Sequence, residues 1–355
     1  MLAAAAVAAA ASGTASAKGV ERYGHHPYRV HGNATTSPTG LSPARIKSVY
    51  SFPTGSTAGA GKTIGIVDAY DDPTIASDLA VFDNQYGLPA CTAANGCLTK
   101  VNQTGGTSYP RVNAGWAVEI SLDVEWAHAI APGAKILLVE ASSNSFSNLL
   151  AAEDYAKRHA QYVSNSWSGG EFAGESTYDS HFAQSGVSFF FASGDSGTPA
   201  EYPSASPKVI SVGGTTLHFS ATGKFQSETG WSGSGGGCSA YQTATAAQRA
   251  FATFPQAGCG TRRGTPDVSL DADPNSGVSV YDSTAYQGQR GWFQVGGTSA
   301  SCPMWAARSA DKGAVVNSAY VYGSNITFRD ITSGSNGEPA RVGYDLVTGR
   351  GSWVG

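Results

Sequence analysis

The chain has 355 residues, 41% of them hydrophobic and only 14% charged, which is ample for one large core or two ordinary domains. Its 22 basic and 26 acidic residues leave a formal net charge of -4, which gives no basis for the basic surface that nucleic-acid binding requires. Aromatic residues at 10% argue against a disordered, low-complexity chain, so the 45 glycines are read as tight turns and close backbone approaches.

The first 17 residues, MLAAAAVAAAASGTASA, form an apolar run ending in small residues and are expected to be a signal peptide. Residues 18–43 are expected to be a leader or linker with no full propeptide, followed by one domain over 44–355. No later stretch reaches the roughly 18 apolar residues of a membrane span, so a secreted, extracellular protein with no membrane partner is expected.

Short apolar runs then alternate with helical patterns. Strands are expected at Lys62–Asp68, Lys135–Glu140, Tyr162–Trp167, Ser188–Ala192, Val209–Gly213 and Val278–Tyr281, with helices at Ile75–Tyr86, Trp116–Ile130 and Phe146–Gln161. Uninterrupted apolar strands between amphipathic helices predict an α/β fold around a parallel sheet buried on both faces. Functional groups in such sheets gather beyond the carboxyl ends of the strands. The five cysteines divide into Cys91 with Cys97, Cys238 with Cys259, and Cys302 alone, which suits two disulfides and one buried thiol in an exported chain.

Three places carry chemistry. In GWAVEISLDVEWAHAIAPG, Glu119 and Asp123 stand four residues apart and share one helical face. Most of the helix around them is apolar, which predicts a buried carboxyl pair able to share one proton rather than a solvated face. In SFFFASGDSG, an apolar strand runs straight into Asp195, which is either a turn former or a protonated acid able to donate to a developing oxyanion. In FQVGGTSASCPMWAA, a strand ends in two glycines before Ser299, which is either a plain cap or a nucleophile exposed at a helix start.

These segments, together with SNSWSGGE, GGCSAY, RGTPDVSLDADPNSGVSVY, RDITSGSNG and GYDLVTGRGS, closely resemble the sedolisin family of serine-carboxyl peptidases, in the family's order and from about Ala44 to the end. The resemblance implies a subtilisin-like parallel β-sheet flanked by helices in a single catalytic domain. It implies Ser299 as nucleophile, Glu119 as general base, Asp123 as the partner that orients Glu119 and shares its proton, and Asp195 as oxyanion acid. It also implies one structural Ca2+ in a loop over 330–345, held by Asp330, Ile331, Arg341, Gly343 and Asp345 through carboxylates and main-chain carbonyls. Protein or peptide substrates are the expected partners, and the expected state is a monomer. The main chain at Ser166, Trp167 and Ser168 matches the edge along which a substrate backbone lies.

Glutamate as base and a protonated Asp195 both favour acid, so an acidic pH optimum is expected. The segment after Ser299 reads as short, which suggests a curtailed helix there. Two other readings follow from the residues: a non-catalytic secreted binding protein on the same fold, and a histidine-dependent subtilisin. For the second, Asp68 ends the first strand where subtilisins keep their triad acid, but none of the seven histidines is followed by Gly-Thr. Asp68 is therefore expected to be a cap or loop anchor, and His128 a packed or partner-bonded residue.

Overall fold

In the computed structural model, which describes residues 20–355, the apolar runs become strands and the helical patterns become helices; the expected signal peptide lies outside these residues. The first half of the chain contains β1 (Arg29–Thr35), α1 (Pro43–Tyr50), β2 (Thr63–Ala69), α2 (Ile75–Tyr86), β3 (Leu98–Asn102), α3 (Ala114–Ile130), β4 (Lys135–Ala141), α4 (Phe146–His159) and β5 (Tyr162–Asn165). There follow β6 (Gly169–Gly170), β7 (Ser188–Ala192), β8 (Glu201–Tyr202), β9 (Ile210–Phe219), β10 (Phe225–Gly230), β11 (Gly237–Thr243), α5 (Ala246–Ala250), β12 (Arg262–Thr265) and β13 (Val268–Asp271). The chain ends with β14 (Val278–Tyr286), β15 (Gln289–Gly296), α6 (Thr298–Lys312), α7 (Ser318–Tyr322), β16 (Phe328–Arg329) and β17 (Ser352–Trp353).

The main sheet has the order β16-β17-β13-β9-β7-β5-β2-β4-β3, with β10 added to β9. From β17 to β3 every neighbouring pair is parallel, and only β16 and β10 run against their neighbours. This is the subtilisin-like α/β architecture. From β2 the chain runs out to β3, returns to β4, and then crosses to β5 on the other side of β2. The strand order therefore reverses at β2 and β5, where a crevice forms beyond the strand ends.

Both faces of the sheet are covered. Ile64 and Ile66 of β2 join the core that contains α3 and α6, while Val67 and Ala69 join the core under α4. This period-2 division requires helices on both sides. Helix α3 is buried nearly all round and is held at its start by Asn113, whose side chain accepts from the amides of Gly115 and Trp116. Helix α4 is capped by Ser145 and ends in Lys157, Arg158 and His159, which complement its dipole.

Three expectations change. Val278–Tyr281 is a strand, but it belongs to a separate antiparallel sheet, β1-β15-β14, packed on α3. Its alternating pattern does not distinguish a parallel from an antiparallel neighbour. Within the 18–43 leader or linker, Arg29–Thr35 forms a strand that pairs with β15. Helix α6 is not curtailed. It runs through Lys312 to a left-handed Gly313, whose amide bonds the carbonyls of Ser309 and Ala310. Both expected disulfides are formed, Cys91–Cys97 and Cys238–Cys259, and Cys302 is free and buried.

Candidate active site

Glu119 and Asp123 lie one turn apart on the buried face of α3, both fully excluded from solvent. Asp123 Oδ1 accepts from the Ser166 hydroxyl at 2.9 Å, just beyond the end of β5. Neither Glu119 oxygen nor Asp123 Oδ2 has a hydrogen-bond partner. A third carboxyl joins them. Asp68, at the end of β2, is fully buried and neither of its oxygens is bonded. Burial raises the pKa of all three acids, and the charge of Asp68 raises Glu119 and Asp123 further. Burial together with mutual repulsion disfavours the state in which all three are ionised.

Ser299 is the second residue of α6, and its turn is built by glycine. Gly297 has φ 107°, and a Cβ there would come within 2.3 Å of Pro27 O and 2.6 Å of Asp195 Oδ2, so the position excludes a side chain. Pro303, four residues after Ser299, has no N–H to give to the Ser299 carbonyl, so the first turn of α6 lacks that helical bond. The Ser299 hydroxyl faces Glu119 closely enough to oppose the rise in its pKa. No formed bond joins them, because Ser299 Oγ has no partner within hydrogen-bond reach. In an unliganded site such a bond is often long and tightens only around substrate.

Asp195 follows β7 on the opposite side of Ser299. Its Oδ1 accepts from Thr298 N at 2.8 Å and from Thr298 Oγ1 at 3.1 Å, while Oδ2 accepts no hydrogen bond and lies 4.0 Å from Arg29 Nε. Burial, chiefly, lifts its pKa to about 7, against the opposing pull of the Thr298 donors and Arg29. With Oδ1 engaged by two donors, the proton belongs on Oδ2. A cleft of about 380 Å3 opens beside it, lined by Arg29, Asp195, Trp231, Ser232, Asp273 and Asn275.

The structure thus brings Ser299, Glu119, Asp123 and Asp195 to one crevice and adds Asp68 to it. The expected cap or anchor role for Asp68 is not met, since its carboxyl makes no hydrogen bond at all. The signal for it was present in the sequence as an acid ending an apolar strand. His128 is packed elsewhere, its Nε2 2.8 Å from Pro89 O and 3.4 Å from Asp83. Nothing in the sequence pointed to Tyr23–Arg29, yet this segment lies across the site. His25 pairs with Ser168, and the Arg29 guanidinium donates to Asp195 O at 2.9 Å.

The 330–345 loop lies apart from this crevice. Asp330 Oδ2 accepts from Gly343 N and Asp345 Oδ2 from Arg341 N, each at 2.9 Å, which draws both carboxyls to one backbone turn. The Val342 and Tyr344 carbonyls are taken by Gln256 Nε2. Those of Ile331, Arg341 and Gly343 accept no bond from the described residues. Asp345 also accepts from Val347 N and Thr348 N through Oδ1; the donor types here, carboxyl and carbonyl oxygens, are those a hard cation such as Ca2+ prefers.

Among known proteins, the subtilase family profile matches residues 111–335. Kumamolisin of Bacillus sp. (strain MN-32) is 31% identical over 367 aligned residues, covering 90% of this chain and 63% of that protein. Sedolisin of Pseudomonas sp. (strain 101) is 26% identical, covering 88% of this chain and 60% of its own length. The chain therefore spans about three fifths of the length of these two relatives. The solved structure of Pseudomonas sedolisin, a serine-carboxyl proteinase complexed with two molecules of pseudo-iodotyrostatin, superposes with a TM-score of 0.73 at 26% identity, covering 89% of this chain and 96% of that one. Sphericase, at 19% identity and a TM-score of 0.56, shares the fold. A profile that spans more than half of the chain agrees with relatives aligned along nine tenths of it: the chain belongs to the subtilase family, and within it is similar to sedolisin-type peptidases.

Proposed function

We propose that this chain is a secreted serine-carboxyl peptidase that hydrolyses peptide bonds in protein or peptide substrates, best at acidic pH. The observation that carries this reading is the pairing of two opposed acid environments around one serine. Unbonded Glu119 faces the Ser299 hydroxyl from α3, and Asp195, with its free Oδ2, borders the same Gly297 turn.

Ser299 Oγ attacks the scissile carbonyl while its proton passes to Glu119. The buried carboxyls of Asp123 and Asp68 hold Glu119 in a shared-proton set, so that it can take a proton and later return it to the leaving amine. The Ser299 amide and the protonated Asp195 Oδ2 stabilise the tetrahedral oxyanion, which an ionised Asp195 would repel. Activity therefore needs Asp195 protonated, which holds below about 7, and the carboxyl set short of at least one proton.

Asp330 and Asp345, with the carbonyls of Ile331, Arg341 and Gly343, would hold one structural Ca2+, which supplies a cross-link across the loop and no step of the reaction. Secretion is supported by the alanine-rich start and by the two disulfides. No helix among the described residues is long and apolar enough to cross a membrane. The test compares the parent with Ser299→Ala and Glu119→Gln on a denatured protein at pH 4. Both variants lose hydrolysis, and full activity in either one rejects the corresponding role.

A further inference from the structure

A second group of acids lies where the loop after β2, the first turn of α2 and strand β14 meet against α3. Asp72 comes from the loop, Asp78 from the helix and Asp282 from the strand, and all three are buried. One carboxyl oxygen from each lies within 4.8 Å of one from each of the others. A hard cation that binds oxygen at roughly 2.3–2.6 Å spans opposite ligands about 4.6–5.2 Å apart, so a single ion can reach all three.

Hydrogen bonds within the fold use part of this group. Asp78 Oδ1 accepts from Ser283 Oγ at 2.7 Å and its Oδ2 from Ser283 N at 2.9 Å, while Asp72 Oδ1 accepts from Thr74 N at 2.9 Å. Asp282 Oδ1 accepts from Thr284 N at 2.7 Å. The rest of the group is left without donors. Asp282 Oδ2 accepts no hydrogen bond although the residue is fully buried. Glu125, also fully buried, stands four residues after Ser121 and so on the same face of α3. Ser121 Oγ donates to Asp72 Oδ2 at 3.3 Å, and Glu125 Oε2 accepts at 3.0 Å from the amide of Tyr281, the neighbour of Asp282. Glu125 is thereby brought to the edge of the group with its Oε1 unbonded. Thr74 Oγ1 lies 2.9 Å from Asp72 Oδ1, 2.7 Å from Asp78 Oδ2 and 2.9 Å from Thr284 Oγ1, yet it carries one hydrogen for these three acceptors. Among the described residues no Lys, Arg or His nitrogen comes within 4.0 Å of a carboxyl of Asp72, Asp78, Asp282 or Glu125. Lys100, the cation beside Asp72, donates to its backbone carbonyl and pairs with Asp71 and Glu140 instead.

We propose that Asp72, Asp78 and Asp282, with Glu125 behind them, bind a divalent cation of the Ca2+ type. Buried carboxyls need a positive partner, and donors that are all oxygen select a hard ion over a transition metal. Thr74, Ser283 and Thr284 are only half-buried and form the rim past which the ion enters. The site shares no residue with the 330–345 loop. Its effect is mechanical: Asp72 follows Asp68 by four residues and Ser121 lies between Glu119 and Asp123, so an ion here pins the loop and the helix that carry those three acids.

The metal-stripped parent, Asp282→Asn, Asp330→Ala and the double variant are each equilibrated with Ca2+ at pH 7, freed of unbound ion by gel filtration and read by elemental mass spectrometry. Calorimetric titration with Ca2+ follows the same four proteins. Asparagine at 282 keeps an Oδ1 for the Thr284 amide and removes the charge, so Asp282→Asn is expected to melt cooperatively and to retain one Ca2+ fewer per chain than the parent. Its affinity at this site should fall by roughly tenfold or more. Asp330→Ala should keep the ion that Asp282→Asn loses, and the double variant should keep neither. Equal Ca2+ content and equal heats in the parent and Asp282→Asn overturn the proposal. Should Asp282→Asn fail to fold, Asp330→Ala decides the matter by its own content: one retained Ca2+ supports the site, and none overturns it.

Discussion

Replacing Asp195 with Asn isolates the proton on which the proposed oxyanion site depends. Oδ1 of Asp195 already accepts from both Thr298 donors, and Oδ2 is the free oxygen. An asparagine in the same place keeps its Oδ1 on Thr298 and presents an N–H2 where the acid presents O–H. In the parent that donor exists only below about 7; at pH 8 roughly a tenth of the molecules carry the proton and at pH 9 roughly a hundredth. The parent's kcat/KM is expected to fall about tenfold for each pH unit on that side, whereas Asp195→Asn holds its rate because an amide does not titrate. Asp195→Ala, which has no donor, loses roughly 10²–10³ in kcat even at pH 4. The assay is cleavage of an internally quenched peptide between pH 3 and 9, after confirming that both variants melt as one cooperative unit. An alkaline limb in Asp195→Asn that overlays the parent's would refute the assignment and put the controlling proton on another group.

Glu119→Gln replaces a buried acid with a neutral isostere, so kcat falls by roughly 10²–10⁴ while the melting temperature at pH 4 is unchanged; a fall in stability alone would point to a structural role. Gly297→Ala meets a positive φ and the Pro27 carbonyl together, and should lose at least about 1–3 kcal/mol of stability in denaturant titration along with its activity. Because Asp195 is raised to about 7 and Glu153 to about 8, and burial also raises Glu119, Asp123 and Asp68, the folded chain binds more protons than the unfolded one. Stability is then greatest in acid and declines as pH rises from the ordinary carboxyl range near roughly 4 toward 8, so calorimetry should give a lower melting temperature at pH 8 than at pH 5. Chelation should lower the melting temperature of the parent, with recovery on adding Ca2+ and a smaller response in Asp330→Ala; equal responses in the two proteins would remove Asp330 from the ligand set.

Much of the site was legible because local pattern and burial coincide in it. The bounds of α2 agree with the structure at both ends, and α3 announced itself as an apolar helix holding two acids with no solvent to face. Asp195 was legible because a wholly apolar strand must end near it. What escaped was non-local. Asp68 was visible as an acid at a strand end, but only the packing of α3 on β2 puts it beside Glu119 and Asp123. The pairing of β14 with β15 rather than with the main sheet depends on which partner lies alongside, and residue periodicity does not encode that. Residues 22–28 have no strong pattern because their order comes from main-chain bonds to Asn144, Ser168 and Ser299, for which most side chains serve.

The buried acids also bear on how the chain endures acid. Proteins swell in acid when their carboxylates are neutralised and the remaining positive charges repel one another. Here the 22 lysines and arginines are thinly spread over 355 residues. Burial raises the pKa of the carboxyls sealed between the sheet and its helices, so acid finds less negative charge there to neutralise. Low pH then adds less swelling pressure than the acid count alone implies, and the conditions that would protonate Asp195 also favour the folded scaffold.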